Sequence, residues 1–538
     1  MDPLIVYLIL FSLIVILGQL FRKSTIPLSL FLVITGMLFS FIPYFPEIHL
    51  NSSLVLNIFL PLLVYEISAF SSWRDMKKQA RPIALLSIGH VIFITGLVAL
   101  VIHTLIPLMG WPLAFVLGAI VSPPDDVAIV SIAEKMRVPE RIFIILEGEG
   151  MFNDAAALTL FRFALAAAIT HQFLITHAVL SFIIVIIGET LYGFLLGHLL
   201  GQLRTKISNT MLHVIASFIT PFLAYIPMVE LGGSGIIATA IVGFVIGNEY
   251  ALRFTPEYRL AAITILPTFA FAIQCILFLL VGLNMHATLS HISSIPVHSL
   301  LIYMIAITAV VIIGRFIWVY GFVMFLPRIL FPFLKKKDPY PPWKYPFILS
   351  WAGIRGGISL AAALAVPSLT FIVNNVDLRD LLVFIVFGII FVTLVLQGLS
   401  LPFIIRKFGI DKVGESERYQ EHMTELQARI KMINAALHWL QKYKQGVKQD
   451  KKLLTEISMH IYEYQTLKKQ FESRILAHDG QLIHDEKSEL KEKLSLLCQV
   501  IAVEKAELEK LWREDQINLK TRNKLATILD HQIQRHLI

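Results

Sequence analysis

Windows of about twenty apolar residues, the length of helix that crosses roughly 30 Å of hydrocarbon, recur from Leu4 to Ile405 and then stop. Inside hydrocarbon no water is present to hydrogen-bond the backbone, so such windows must fold as helices that satisfy their own N–H and C=O groups. With 56% hydrophobic and 16% charged residues and a mean hydropathy of +0.72, the 538-residue chain lies outside the soluble globular class. The reading is an all-α polytopic membrane protein with about 13 spans. They run over 3–21, 26–43, 54–70, 82–107, 112–133, 142–169, 177–201, 210–226, 233–248, 260–282, 298–325, 345–367 and 381–405. The first span follows Asp2 rather than a positive charge and precedes Arg22 and Lys23, so it reads as a spanning helix and not as a cleaved leader.

The loops between these spans alternate in charge. Arg22, Lys23, Arg74, Lys77, Lys78, Arg81, Lys135, Arg137, Arg141, Arg204, Lys206, Arg253, Arg259, Arg328, Lys335, Lys336, Lys337, Lys344, Arg406 and Lys407 share one side, and Arg379 alone takes the other. The positive-inside rule then places the N-terminus outside and the C-terminus in the cytoplasm. Arg162, Arg315 and Arg355 lie within spans. Residues 1–410 form the membrane domain and residues 411–538 a cytosolic helical tail, whose 22 basic and 20 acidic residues nearly cancel. The net charge of +8 is therefore largely a topology signal and not a nucleic-acid footprint. In the tail, Leu426, Ile430, Ile433, Leu437 and Leu440 trace the seam of a packed helix, as in a coiled coil or small bundle. Further helix is expected over Leu453–Ala477 and Glu489–Leu511.

Thirteen spans of this topology allow two inverted six-helix repeats linked by the seventh. The fifth and twelfth spans would then correspond, and both carry helix-breaking sequence: Ser122-Pro123-Pro124-Asp125-Asp126 in one, Gly353-Ile354-Arg355-Gly356-Gly357 in the other. Adjacent prolines remove two backbone donors and glycines weaken a helix. Two crossed broken helices would leave carbonyls and half-helix ends free at the midplane to hold a small ion.

Between Glu147 and Asp154, three acids and an amide interrupt the apolar pattern of the sixth span. Ionisable groups at that depth cost several kcal/mol and mark functional sites. Asp154 is the leading candidate, a carboxylate able to hold either a proton or a monovalent cation, with no resident cofactor. Asn153 offers an amide oxygen or holds the neighbouring break in place. Asp125 is either a second ligand or an acceptor for freed backbone N–H groups, whereas Asp126 reads as solvated near the turn. Glu149 and Arg355 form the expected buried ion pair, Glu147 a gate or funnel acid, and Arg162 and Glu189 a structural bridge. Glu66 and Arg315 stand as lone charges. Two cysteines, Cys275 and Cys498, give no disulfide framework or metal spacing, and no Walker motif or nucleophile triad points to an enzyme.

These motifs resemble the monovalent cation/proton antiporters of the sodium/proton exchanger type, in its bacterial electroneutral branch. Ser122-Pro123-Pro124-Asp125 is similar to the family's broken-helix motif, and Glu149-Gly150-Met151-Phe152-Asn153-Asp154 to its Glu-Ser-x-x-Asn-Asp. Phe59 to Leu63, Ala352 to Leu360 and Leu396 to Pro402 match further blocks in order. The resemblance implies a homodimer, alternating access, Asp154 as the shared cation and proton site, and one-for-one exchange associated with Asn153. It also implies a Glu149–Arg355 ion pair and places Arg315 where relatives carry a basic core residue. Gly150 stands where many relatives have a cation-ligating serine and Pro124 where many have threonine, which shifts the expected cargo from Na⁺ toward K⁺ or a water-completed site. The expected activity is export of Na⁺, K⁺ or Li⁺ against entering protons across a bacterial inner membrane, for pH and cation homeostasis. The competing readings are a K⁺/H⁺ antiporter regulated by its tail and, from another class, a cation channel or a receptor signalling through the tail.

Overall fold

The computed structural model describes residues 3–20, 27–42, 52–107, 109–170, 175–291, 296–325, 342–367, 370–373, 376–446 and 451–477, together with 500, 503–508, 510, 511, 513, 514, 516 and 525. Cys498, the loop charges Arg22, Lys23, Arg328 and Lys335 to Lys337, and more than half of the helix expected over 489–511 lie outside them. The described chain is helical apart from one two-residue antiparallel ladder, Ile372–Val373 with Val376–Asp377. It divides into two compact units, Met1–Glu415 and Ser416–Ile538.

Ten helices among the described residues are long and apolar enough to cross a membrane. They are Ser52–Phe70, Ala80–Leu105, Trp111–Lys135, Glu140–Thr170, Phe182–Arg204, Thr210–Glu230, Ile236–Arg253, Pro256–Leu283, Val297–Phe325 and Leu378–Lys407. The other three expected spans are those at 3–21, 26–43 and 345–367. The first is an 18-residue helix, Pro3–Leu20, and the second covers only Leu28–Ser40. The third is split into Lys344–Trp351 and Gly357–Leu364 around five non-helical residues. That split follows from Gly353, Gly356 and Gly357, which weaken the helix where its backbone bonds elsewhere.

Helix contacts in the membrane unit rest on small residues. A Cβ on Gly36 would meet Leu279 O at 2.3 Å, and one on Gly282 would meet Val33 O at 2.2 Å, so Leu28–Ser40 and Pro256–Leu283 touch backbone to backbone. Such close crossing replaces the hydrophobic drive that lipid does not supply. Many large apolar side chains remain exposed on Phe182–Arg204 and Thr210–Glu230, including Leu195 and Met211, as a lipid-facing surface requires.

The bridge expected between Arg162 and Glu189 is not a direct pair. Arg162 donates to Gly233 O, while Glu189 accepts from Ser234 Oγ at 3.0 Å, Gly235 N at 2.8 Å and Ile237 N at 3.1 Å. Both side chains fix the same turn. Glu189 caps the helix beginning at Ile236, whose first N–H groups lack intrahelical partners and favour an anion.

In the second unit the seam of Ile410–Gly446 is legible as burial: Leu426, Ile433 and Leu437 are buried, and Ile430 and Leu440 half-buried. Lys451–Ala477 follows, and Arg429 stacks over Phe471 at 5.6 Å.

Candidate functional site

The site is built where the two broken helices cross. Trp111–Val121 ends before Ser122-Pro123-Pro124, and a second helix, Asp126–Lys135, starts after Asp125. The prolines cannot donate and exclude the preceding turn, so the chain leaves the helix there. Asp125 N donates to Ile354 O at 2.7 Å, a backbone bond joining the two breaks. A Cβ on Gly356 would lie 2.1 Å from Asp125 Oδ2, so only glycine allows this approach.

Each break exposes a half-helix C-terminus, whose free carbonyls favour a cation, and each receives an arginine. Arg355 Nε donates to Val121 O at 2.6 Å and its Nη1 to Gly353 O at 2.6 Å, while its backbone N donates to Thr393 Oγ1 at 3.1 Å. Arg315 Nε donates to Leu349 O at 2.9 Å. At the opposite pole, Asp125 caps the N-terminus of Asp126–Lys135 by accepting from Val127 N at 3.2 Å.

The ion pair expected between Glu149 and Arg355 is not the one formed. Glu149 takes Arg315 through two bonds, Nη1 to Oε1 at 2.5 Å and Nη2 to Oε2 at 2.8 Å, with both side chains buried. Arg355 is already committed to the carbonyls of Val121 and Gly353, and Arg315 brings its planar fork to the carboxylate. Arg315 is thus a structural partner and not an isolated core charge.

Asn153 Nδ2 donates to Pro124 O at 2.9 Å, binding the long helix Glu140–Thr170 to the first break. Its Oδ1 is buried without a protein donor, as is Asp125 Oδ2. Buried acceptors are rarely left so, and both belong to one small region. Asp154, one residue on, is 9% exposed and lines a small cavity with Ala119, Pro123, Ile358 and Ser359. Ser122 hydrogen-bonds to Ala119 O at 2.9 Å and is fully buried; Pro124 contributes its carbonyl to Asn153.

A second cavity of about 260 Å³ is lined by Glu66, Asp126, Glu134, Glu147 and Gln274 among others. Glu147 accepts from Ser71 Oγ at 2.8 Å. Glu66, a lone charge in the sequence, is therefore part of an acidic cavity wall. Sequence reasoning missed Asp126 in this wall and the fully buried His90; His90 had no signal, since one histidine in an apolar window looks like any core residue. Among the described residues no three of His, Cys, Asp and Glu converge tightly enough to hold a resident metal ion. The arrangement is instead a mixed set of carboxylate, amide and backbone oxygens, suited to a hard monovalent ion or a proton.

Residues 9–407 match the family model described as sodium/hydrogen exchanger, transmembrane. An uncharacterised Na⁺/H⁺ exchanger of Mycobacterium tuberculosis is 31% identical over 428 residues, covering 78% of this chain and 76% of that protein. A sodium, potassium, lithium and rubidium/H⁺ antiporter of Bacillus pumilus is 27% identical over 500 residues, covering 88% and 73%. The solved sodium proton antiporter NhaP1 of Methanocaldococcus jannaschii superimposes with a TM-score of 0.58 at 16% identity, covering 76% of this chain and 99% of that one. At that identity the likeness concerns the fold alone.

Proposed function

The chain belongs to the transmembrane sodium/hydrogen exchanger family, and from that premise we propose that it exchanges a monovalent cation for a proton at Asp154 by alternating access. It is a membrane transporter and not an enzyme. The observation that carries the reading is the placement of the Asp154 carboxylate beside the crossing of two broken helices, against a cavity that Pro123, Ile358 and Ser359 help to line.

The physics of exchange follows from charge accounting. Arg315 is taken by Glu149 and Arg355 by backbone carbonyls, so among the described residues no protein cation pairs with Asp154. A bare carboxylate in a poorly solvated site is costly, and a proton or a cation removes that cost. Because one carboxylate takes one or the other, the two flows are coupled. A bundle that reorients only when Asp154 is neutral carries one cation out for each proton in. Asn153, neutral and fixed to Pro124 O, adds an oxygen without adding charge, which supports one-for-one electroneutral exchange.

Inverted repeats of six helices, an external N-terminus, a cytoplasmic tail and a homodimer belong to the same reading. On that topology the 260 Å³ acidic cavity opens toward the cytoplasm and concentrates cations at the site. Na⁺ is the first cargo, and K⁺ the second reading, favoured by Gly150 in place of a hydroxyl-bearing residue. The test uses the full chain in liposomes with an acid interior and adds Na⁺, Li⁺ or K⁺ outside. Collapse of the gradient on cation addition, unchanged when the permeant anion thiocyanate on both sides clamps the voltage, supports the reading and names the ion. A cation current without proton movement would indicate a channel and contradict it.

A further inference from the structure

The long helix Glu140–Thr170 presents Glu147, Gly150 and Asp154 at spacings of three and four, one face over two turns. The middle position has no side chain, and the space is filled from the next element. A Cβ on Gly150 would lie 2.0 Å from Asp126 Cβ, 2.6 Å from its Cγ and 2.7 Å from its Oδ2. The clash begins at Asp126 Cβ, next to its backbone, so no rotation of the carboxylate relieves it. Asp126 thus lies directly against the helix, one turn before Asp154.

Asp126 is not a surface acid. It lines the 260 Å³ cavity with Glu66 and Glu147 and interacts electrostatically with Glu66, Asp125, Glu147, Glu149 and Asp154. Among the described residues no lysine, arginine or histidine forms an ion pair with it. Two further oxygens of the same crossing, Asn153 Oδ1 and Asp125 Oδ2, are buried with no protein donor, and Asn153 is wholly unexposed. Asp126, Asn153 and Asp154 thus lie within one helical turn of Gly150, and among the described residues neither carboxylate has a basic partner. Hard oxygen acceptors in that state suit an alkali cation.

We propose that Asp126 is a second carboxylate ligand for the transported cation, admitted to the site by the missing side chain of Gly150. The inference rests on the exchange reading above. A cation leaving the acidic cavity meets Asp126 before Asp154, and the two carboxylates share it with Asn153 Oδ1. Asp126 touches the cargo, whereas Gly150 acts only by giving it room.

The test measures cation-dependent proton flux in liposomes for the full chain and for Asp126→Asn, Asp126→Gly, Gly150→Ser and Gly150→Ser/Asp126→Gly. Thermal stabilisation by Li⁺ or Na⁺ in detergent gives a binding readout independent of turnover. The loss of one charged ligand predicts a rise of about 10- to 100-fold in apparent KM and Kd for Asp126→Asn, with maximal flux much less altered because Asp154 remains. Gly150→Ser is expected to be strongly impaired alone and to add little further damage when Asp126 is glycine, which removes the Cβ that the serine would meet. If Asp126→Asn is poorly folded, Asp126→Glu carries the test, and the order of preference among Li⁺, Na⁺ and K⁺ must change. Unaltered KM and Kd in Asp126→Asn, or unaltered preference in Asp126→Glu, overturns the ligand role. Equal damage by Gly150→Ser in both backgrounds overturns the interlock. Absence of cation-dependent flux in the unsubstituted protein is a separate result that removes the exchange reading itself.

Discussion

The Glu149–Arg315 pair makes the sharpest energetic prediction. Glu149→Gln leaves the Arg315 guanidinium buried at 1% side-chain exposure with its two charged bonds lost and only Leu349 O retained. Breaking a buried pair from one side costs about 3–5 kcal/mol. With an unfolding entropy of about 2.1 cal/mol/K per residue over the unit Met1–Glu415, that corresponds to a fall in Tm of roughly 3–6 °C. The assay is thiol-reactive dye labelling of buried Cys275 on heating in detergent, in a Cys498→Ser background. A double-mutant cycle identifies the partner. Coupling between Glu149→Gln and Arg315→Gln is expected at about 3 kcal/mol or more, and between Glu149→Gln and Arg355→Gln well below that. A larger coupling to Arg355 would refute the pairing, and the assignment of the two arginines to the two half-helix ends would fall with it.

Three other outcomes are expected. Gly356→Ala puts a Cβ 2.1 Å from Asp125 Oδ2 and should separate the two breaks, costing more than about 2 kcal/mol and abolishing proteoliposome exchange; Gly353→Ala, whose Cβ meets Arg315 Cδ at 3.0 Å, should be milder in the same assays. Glu189→Gln weakens the acceptor for Ser234, Gly235 and Ile237, and its Tm should drop by an amount equivalent to about 1–3 kcal/mol while the apparent cation KM stays unchanged. Asn153→Asp adds a charge beside Asp154, so exchange that was indifferent to a voltage clamp should become sensitive to it; continued indifference would count against charge accounting at this site.

The apolar windows and both helix breaks were legible because they are local: prolines and glycines act on their own turns, and hydropathy needs no partner. Asp154, Asn153 and Asp125 stood out for the same reason, as polar groups in an apolar run, and the structure brings all three to the crossing. Which arginine meets Glu149 was not legible. Arg315 and Arg355 are equal in sequence, and the choice depends on which one the free carbonyls of Val121 and Gly353 consume, a matter of three-dimensional helix ends. Arg162 and Glu189 misled likewise, since each bonds a turn at 232–235 that no pairwise charge argument includes. Asp126 looked like a solvated residue beside a turn. The signal that it packs inward was Gly150 in Glu149-Gly150, a missing side chain whose meaning appears only when the facing element is known.

On the exchange reading, one carboxylate serves both the proton and the cation. Calorimetric titration of the purified protein with Na⁺, repeated in buffers of different ionisation enthalpy, counts protons released per cation bound. About one proton per cation is expected near neutral pH, with an apparent affinity that falls as the pH is lowered and loss of both in Asp154→Asn. Cation binding without proton release, or release that persists in Asp154→Asn, would contradict it.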